Sequence, residues 1–273
     1  MYPYSVIALY PYTPIPLFPI PMTKLTRKQA LKKIGIGAGL AALSEISGAA
    51  PSSLHEENKI NTMNSSQEKS PDWKTSALIV VDMQNDFVRK GAPLEVPTAL
   101  GTAAAQKALI LAFRSRKLPI VYTKFLSHPH YYLLWEWSPQ CKPPTKCCWK
   151  GHQRYYEDIK ATRECTDIID ELTPSPDDII IEKFGYGAFH GTPLADILHT
   201  RGVTSLAITG TVTQICVEET AREAMHHGFR TTLVEDGVSS FAPDLQAATL
   251  KNFAMKFGWV AKSEKVIAVI GNQ

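Results

Sequence analysis

The feature that most constrains the fold is a regular alternation, from about residue 76 onward, of short apolar runs with amphipathic segments. Residues 77–81 form a continuous apolar run that stops at Asp82, as expected of a strand buried on both faces. Further strands are predicted over residues 120–123, 178–181, 205–209, 231–234 and, at a sheet edge, 266–270. Helices are predicted over residues 98–116, 193–200, 215–227 and 244–257. This alternation predicts an α/β fold with a mostly parallel sheet covered on both faces.

Composition excludes several other classes of protein. The 273 residues are 44% hydrophobic and 20% charged, which is ordinary for a globular chain and is enough for one α/β domain with an appendage. Five cysteines are too few for a disulfide-built scaffold. Most of the net charge of +3 comes from residues 1–50, so the remainder is nearly neutral and offers no basic surface for nucleic acid.

The first 75 residues do not follow the alternation. Residues 1–21 are uncharged and rich in proline, which disfavours a helix, a central strand or a stable membrane span, and we predict an extension upstream of a start at Met22. Residues 22–50 have a basic, then apolar, then small-residue order that predicts an export signal and a periplasmic location; the alternative is a basic extension on a cytoplasmic enzyme. Residues 51–75 are predicted to be a linker. The domain with the regular alternation then occupies 76–273.

A long insertion interrupts the alternation at residues 125–161, which are aromatic and contain several prolines. Long irregular insertions in compact domains are commonly lids or binding loops. We expect this lid at the carboxyl ends of the strands, where open α/β sheets bind their ligands.

Three residues at strand ends or at a helix start could converge on one site. They are Asp82 after the first strand, Lys183 after the third, and Cys216 at the start of the helix after the fourth. The helix dipole and a nearby ammonium would both favour a thiolate, and a carboxylate could move its proton. The alternatives are a buried structural cysteine, a capping carboxylate and a solvated lysine. Asp86 competes with Asp82 as the acid, although a structural role suits it better.

Two motifs give the chain a family resemblance. Residues 78–87 (LIVVDMQNDF) and 209–217 (TGTVTQICV), with a lysine motif between them, resemble the isochorismatase-like cysteine hydrolase superfamily. That superfamily includes nicotinamidases, N-carbamoylsarcosine amidases and ureidoacrylate amidohydrolases. The resemblance covers about residues 76–270 and implies a three-layer αβα fold with a Rossmann-like sheet.

The resemblance also implies site residues. It implies a catalytic triad of Asp82, Lys183 and Cys216, and a cis peptide bond between Thr211 and Val212. The N–H groups of Val212 and Cys216 would then form an oxyanion hole. Homo-oligomers are common in the superfamily, but no interface is identified in the sequence.

Departures from the superfamily patterns narrow the prediction. Nicotinamidases carry an Asp-x-His metal motif after the second strand, where this chain has residues 122–128 (YTKFLSH), so we expect no catalytic metal. No glycine-rich phosphate loop follows a strand, so we expect no redox cofactor.

In the lid, Cys141, Cys147, Cys148 and His152 lack zinc-site spacing. A disulfide from Cys141 to Cys147 or Cys148 is the better interpretation if the protein is exported.

Substrate contacts are predicted near the triad and in the lid. The candidates are Gln84, Asn85, Tyr186, Phe189, Trp135 and Trp149. The aromatic candidates could equally serve to pack the lid onto the sheet.

The predicted function is a cysteine-dependent hydrolase that cleaves a C–N bond of a small non-peptide amide or ureido compound through a thioester. The alternatives are hydrolysis of an ester or a lactam, or a binding protein that has kept the fold without the activity.

Overall fold

The computed structural model describes residues 70–272. The predicted upstream extension, the export signal and most of the linker lie outside the described residues. Within the described part, no helix is both long and apolar enough to cross a membrane.

Eight strands in the described part form two sheets. Their bounds are β1 (Ser76–Val81), β2 (Ile120–Phe125), β3 (Gln153–Tyr156), β4 (Ala161–Glu164), β5 (Ile179–Lys183), β6 (Ser205–Thr211), β7 (Arg230–Ser239) and β8 (Trp259–Ala261). Six of them form a parallel sheet in the order β5-β2-β1-β6-β7-β8. The other two, β3 and β4, form an antiparallel hairpin.

Helices cover both faces of the parallel sheet. Their bounds are α1 (Asn85–Val88), α2 (Ala103–Ser115), α3 (Leu134–Trp137), α4 (Leu194–Thr200), α5 (Glu218–His226), α6 (Pro243–Lys256) and α7 (Ser263–Gly271). A π-helical turn, Thr213–Val217, precedes α5. Short 3-10 helices lie at Trp73–Thr75, Leu100–Thr102, Pro129–Tyr131, Pro139–Cys141 and Asp170–Leu172.

Alternate residues of β1 pack into two separate cores. Leu78 and Val80 pack in one core with residues of α2 and α7. Ala77 and Ile79 pack in the other core with residues of α4, α5 and α6. Because successive side chains of a strand point to opposite faces, these two cores are the two sides of the sheet. The predicted three-layer αβα fold is confirmed.

The predicted final strand is wrong. Residues 266–270 belong to helix α7, and the edge strand is β8 instead. Ser263, Val266 and Ile270 are buried while Val269 is exposed, which is helical spacing. A short apolar run cannot be assigned from its periodicity alone, and here its i, i+4 pair faces α2 rather than a neighbouring strand.

Folded structure begins slightly before the predicted linker ends. Asp72 caps the 3-10 helix Trp73–Thr75 by accepting a hydrogen bond from the Lys74 N–H, and the Trp73 side chain is buried. Burial of this indole ties residues 72–75 to the core, so the domain starts there.

The lid starts at the carboxyl end of β2 and is anchored by a buried carboxylate. Asp86 accepts hydrogen bonds from the Cys148 N–H, the Arg154 side chain and the Tyr156 hydroxyl. This gives Asp86 the structural role that the sequence favours for it, because three lid groups donate hydrogen bonds to its two oxygens.

Candidate active site

A buried ion pair lies at the carboxyl end of the sheet. Asp82 follows β1 and Lys183 ends β5, and β2 lies between these two strands. Lys183 Nζ is 2.8 Å from Asp82 Oδ2, and neither side chain is exposed. Thr123 on β2 donates a hydrogen bond of 2.5 Å to Asp82 Oδ1. The strand order therefore brings together two residues that are 101 positions apart.

The Lys183 ammonium is held in its charged form. It donates hydrogen bonds to the carbonyl oxygens of Gly185 and Tyr186, at 3.1 and 2.7 Å, and its third contact is with Asp82. Burial alone would lower the pKa of Lys183, but the negative charge of Asp82 and its hydrogen bond with the ammonium outweigh burial and raise that pKa. Lys183 therefore acts as a fixed positive charge and does not exchange its proton.

Cys216 lies beside this ion pair. The π-helical turn that carries it connects β6 to α5, and β6 is the neighbour of β1 on the side away from β2. Gly210 makes this approach possible: its φ is +110°, and a Cβ there would lie 2.0 Å from the Val81 carbonyl oxygen. The Cys216 thiol contacts both Asp82 and Lys183. The structure thus brings the three predicted residues together.

The protonation state of Cys216 differs from the expectation of a ready-made thiolate. Burial raises the pKa of the Cys216 thiol to about 12, although Lys183 and the Val212 N–H act in the opposite direction. At neutral pH the thiol is therefore protonated. Asp82 Oδ2 has no hydrogen bond beyond its ionic contact with Lys183, so it has room to accept the thiol proton.

The turn before Cys216 contains a cis peptide bond between Thr211 and Val212, at the position that the resemblance implies. The Val212 N–H is directed at the cysteine sulfur, and the Val212 carbonyl accepts hydrogen bonds from the N–H groups of Ile215 and Val217. The side chain of Thr211 points elsewhere, toward the Ser239 carbonyl.

A cavity of about 410 Å³ opens onto Cys216. Lid residues, the turn after β6 and the loop after α1 line it: Phe87, Pro93, Leu94, Glu95, Val96, Phe125, Trp137, Ser138, Gln140, Tyr186, Val212, Ile215, Cys216 and Phe241. Another cavity, of about 490 Å³, lies at the β8 edge and does not include any of the three site residues. The cavity at Cys216 is the candidate active site because it holds a nucleophile.

Of the predicted substrate contacts, Tyr186 lines this cavity and Gln84 and Asn85 do not. The Gln84 amide both donates to and accepts from the backbone of Phe125. Asn85 donates to the Glu164 carbonyl and accepts from Arg89. Both amides hold the lid and the loops in place, and neither lines the cavity.

The other three predicted contacts are packing residues. Phe189 stacks on His227 and packs against Phe229. Trp135 and Trp149 stack on each other within the lid, and their indole N–H groups donate to Ser127 and to the Cys141 carbonyl. The alternative interpretation as packing aromatics therefore applies to these side chains.

Gln140 is the most informative residue that sequence reasoning missed. The residue lines the cavity, and its side-chain oxygen is buried and has no hydrogen-bond partner. The sequence shows only that Gln140 belongs to the lid. Whether a lid residue faces Cys216 depends on how the lid folds, and the sequence pattern does not indicate that.

The nicotinamidase-type metal position does not fit this chain. Lys124, near the end of β2, forms an ion pair of 2.9 Å with Asp167, and His128, after the strand, accepts a hydrogen bond from the His130 N–H. Neither residue offers the carboxylate that the Asp-x-His motif requires.

Comparisons with known proteins place this geometry in a family. The sequence model of the isochorismatase domain matches residues 76–265. The ureidoacrylate amidohydrolase RutB of Agrobacterium fabrum is 30% identical over 208 residues, which cover 71% of this chain and 90% of the relative.

Solved structures agree with this assignment. The chain is similar to N-carbamoylsarcosine amidase from Thermoplasma acidophilum, with a TM-score of 0.56, 29% identity and coverage of 70% of this chain and 97% of that one. It shares its fold with a cysteine hydrolase from Pseudomonas syringae pv. phaseolicola, with a TM-score of 0.65, 24% identity and coverage of 74% and 94%.

The raised pKa of Cys216 predicts the pH dependence of its alkylation. Because only the thiolate attacks iodoacetamide, the labelling rate should rise about tenfold per pH unit from pH 7 to 10, with no inflection near the ordinary thiol pKa of about 8.5. Rates are measured by mass spectrometry of the Cys216 peptide, with N-acetylcysteine as the reference thiol. A rate that levels off below pH 8 would show a preformed thiolate and contradict this account.

Proposed function

The chain belongs to the isochorismatase family, and from this premise we propose that it is a cysteine-dependent hydrolase that cleaves a C–N bond of a small, uncharged amide or ureido compound. The observation that carries the proposal is that the Cys216 thiol lines a cavity of about 410 Å³ and contacts a buried Asp82–Lys183 ion pair. The similarity to RutB and to N-carbamoylsarcosine amidase supports C–N bonds as the target.

Acylation begins with removal of the thiol proton. Asp82 accepts this proton as Cys216 Sγ attacks the substrate carbonyl carbon, and the negative charge that develops moves to the carbonyl oxygen. The N–H groups of Val212 and Cys216 stabilise this oxyanion. Protonated Asp82 then donates to the leaving nitrogen, the C–N bond breaks, and ammonia or an amine departs from a thioester.

Deacylation reverses the roles. Asp82 accepts a proton from water, the hydroxide attacks the thioester carbon, and the C–S bond breaks. The proton on Asp82 then returns to the sulfur, which restores the resting thiol. Lys183 keeps its proton throughout, and its charge stabilises the anion wherever it resides, on Asp82 or on Cys216.

The lining of the cavity selects against a carboxylate on the substrate. Among the described residues that line it there is no lysine, arginine or histidine, and the one charged side chain apart from the site thiol is Glu95. Lys183 lies behind the cavity with all its protons engaged. Ureidoacrylate and N-carbamoylsarcosine both carry a carboxylate, which this cavity would leave without a counter-charge. We therefore expect a substrate chemistry different from that of these relatives.

The proposal is tested by ammonia release from a panel of neutral amides, neutral ureido compounds and their carboxylate-bearing counterparts. The wild-type protein should act on neutral members in preference to acidic ones. Cys216→Ala should abolish release, whereas Cys165→Ser, a change at a buried cysteine outside the cavity, should retain it. Release that is equal in Cys216→Ala and wild type would reject the cysteine mechanism. Turnover of esters alone would reject the C–N specificity.

Gln140 is expected to bind a substrate N–H through its unpaired oxygen. Replacing it with leucine removes one neutral hydrogen bond, worth about 0.5–1.5 kcal/mol, so KM should rise by roughly 2- to 13-fold while kcat changes little. Gln153→Leu, on the exposed face of the β3–β4 hairpin, is the matched control. A Gln140→Leu protein with unchanged KM for the best amide would remove this residue from substrate binding.

A further inference from the structure

Three of the four cysteines outside the active site converge beneath the lid, next to Asp86. Cys141, Cys147 and Cys148 are fully buried free thiols. Each thiol contacts the next: Cys147 Sγ lies 3.6 Å from Cys148 Sγ, and Cys141 contacts Cys147. The fold thus brings together cysteines whose spacing in the sequence does not match a zinc-binding motif.

The arrangement of these atoms has the dimensions of a metal site. One ligand atom each from Asp86, Cys147 and Cys148 lies within 4.8 Å of the other two. Sulfurs bound to a tetrahedral zinc ion at about 2.3 Å are about 3.8 Å apart, close to the 3.6 Å between Cys147 and Cys148. A disulfide would require these sulfurs to come to about 2.05 Å.

Asp86 has one acceptor position left for a metal. Its Oδ1 accepts from Arg154 and Tyr156, whereas Oδ2 accepts only the Cys148 N–H, at 2.9 Å. A carboxylate oxygen has two lone pairs, so one lone pair of Oδ2 remains available. The hydrogen bonds to Asp86 fix its orientation, as the outer partners of metal ligands commonly do.

We propose that Asp86, Cys147 and Cys148, whose ligand atoms already lie together, form a structural zinc site that holds the lid against the domain, and that Cys141, which contacts Cys147 but lies outside that group, shifts into place as the fourth ligand when the ion binds. This inference is independent of the proposed function, and it reverses the expectation from sequence that these cysteines do not bind metal. The Cys165 thiol donates to the Trp149 carbonyl at 3.2 Å and is outside the group of ligand atoms, so it is not a ligand.

The charges and protons of the site balance. Burial raises the pKa of the Cys148 thiol to about 12, and the pKa values of Cys141 and Cys147 are also raised, so the three thiols are protonated in the metal-free protein. Binding of Zn²⁺ forms three Zn–S bonds and one Zn–O bond and releases three protons. The resulting charge of −2 is partly offset by Arg154, which is paired with Asp86.

A metal bound at this site would also hold in place the lid segment that lines the active-site cavity. Cys141 ends the 3-10 helix Pro139–Cys141, and Gln140, the residue before it, faces the cavity. The Gln140 carbonyl accepts a hydrogen bond from the Cys147 N–H at 3.0 Å. The zinc site and the substrate-facing side of the lid therefore share one short segment.

The test is metal binding by the reduced, full-length protein. Titration with Co²⁺ should saturate at one ion per chain and produce thiolate-to-cobalt charge-transfer absorption with the visible bands of tetrahedral cobalt. Zn²⁺ should displace the cobalt, and X-ray absorption of the zinc form should show three sulfur ligands and one oxygen. This readout needs no variant and no enzymatic activity.

Variants locate the site. Cys216→Ala should retain the cobalt spectrum, whereas the double change Cys147→Ser and Cys148→Ser should lose it. The proposal is overturned if the wild type shows no saturable cobalt band, or if the band survives the double change. A disulfide would also overturn it. Such a bond would appear as an intact mass that is two hydrogens below that of the fully reduced protein, together with a peptide cross-linked through Cys141.

Discussion

The buried ion pair between Asp82 and Lys183 is the interaction on which the rest of the site depends. Breaking such a pair by removing one partner costs about 3–5 kcal/mol, because the remaining charge is left without compensation. The order β5-β2-β1 provides both partners, and β2, which lies between their two strands, contributes Thr123 to hold the carboxylate. Cys216 lies close to the same ion pair because β6, the strand that leads to its turn, is the neighbour of β1.

Burial gives Cys216 a chemistry different from that of an exposed reactive cysteine. Its pKa is raised, so the resting thiol is neutral, and the site avoids a buried thiolate next to the Asp82 carboxylate. In the proposed mechanism the nucleophile is formed only as its proton moves to Asp82. Because that proton stays within the group of three residues, their total charge does not change. The adjacent ammonium stabilises the negative charge on either Asp82 or Cys216, so the step requires little reorganisation of the surroundings.

Sequence reasoning predicted the sheet, both helical layers and the three central residues, because strand ends and a helix start are marked by local patterns. The placement of residues in the lid and near the C-terminus was not predicted, because it depends on how those segments fold. Residues 266–270 are too few to separate a strand from a helix. Trp135 and Trp149 stack on each other, while Gln140 faces the cavity and Cys141, Cys147 and Cys148 come together. None of these placements follows from spacing, because each depends on the path of the lid.

The central claim is that Cys216 carries the acyl group during turnover, and partitioning with hydroxylamine tests it most directly. A thioester reacts with hydroxylamine, so with the best neutral substrate the wild type should divert product from the acid to the hydroxamate as hydroxylamine is increased, or to hydroxyurea when a carbamoyl group is transferred. The Cys216→Ala protein should form neither product. Continued ammonia release by the wild type with no hydroxylamine adduct at any concentration would mean that water attacks the substrate directly, and would contradict the account.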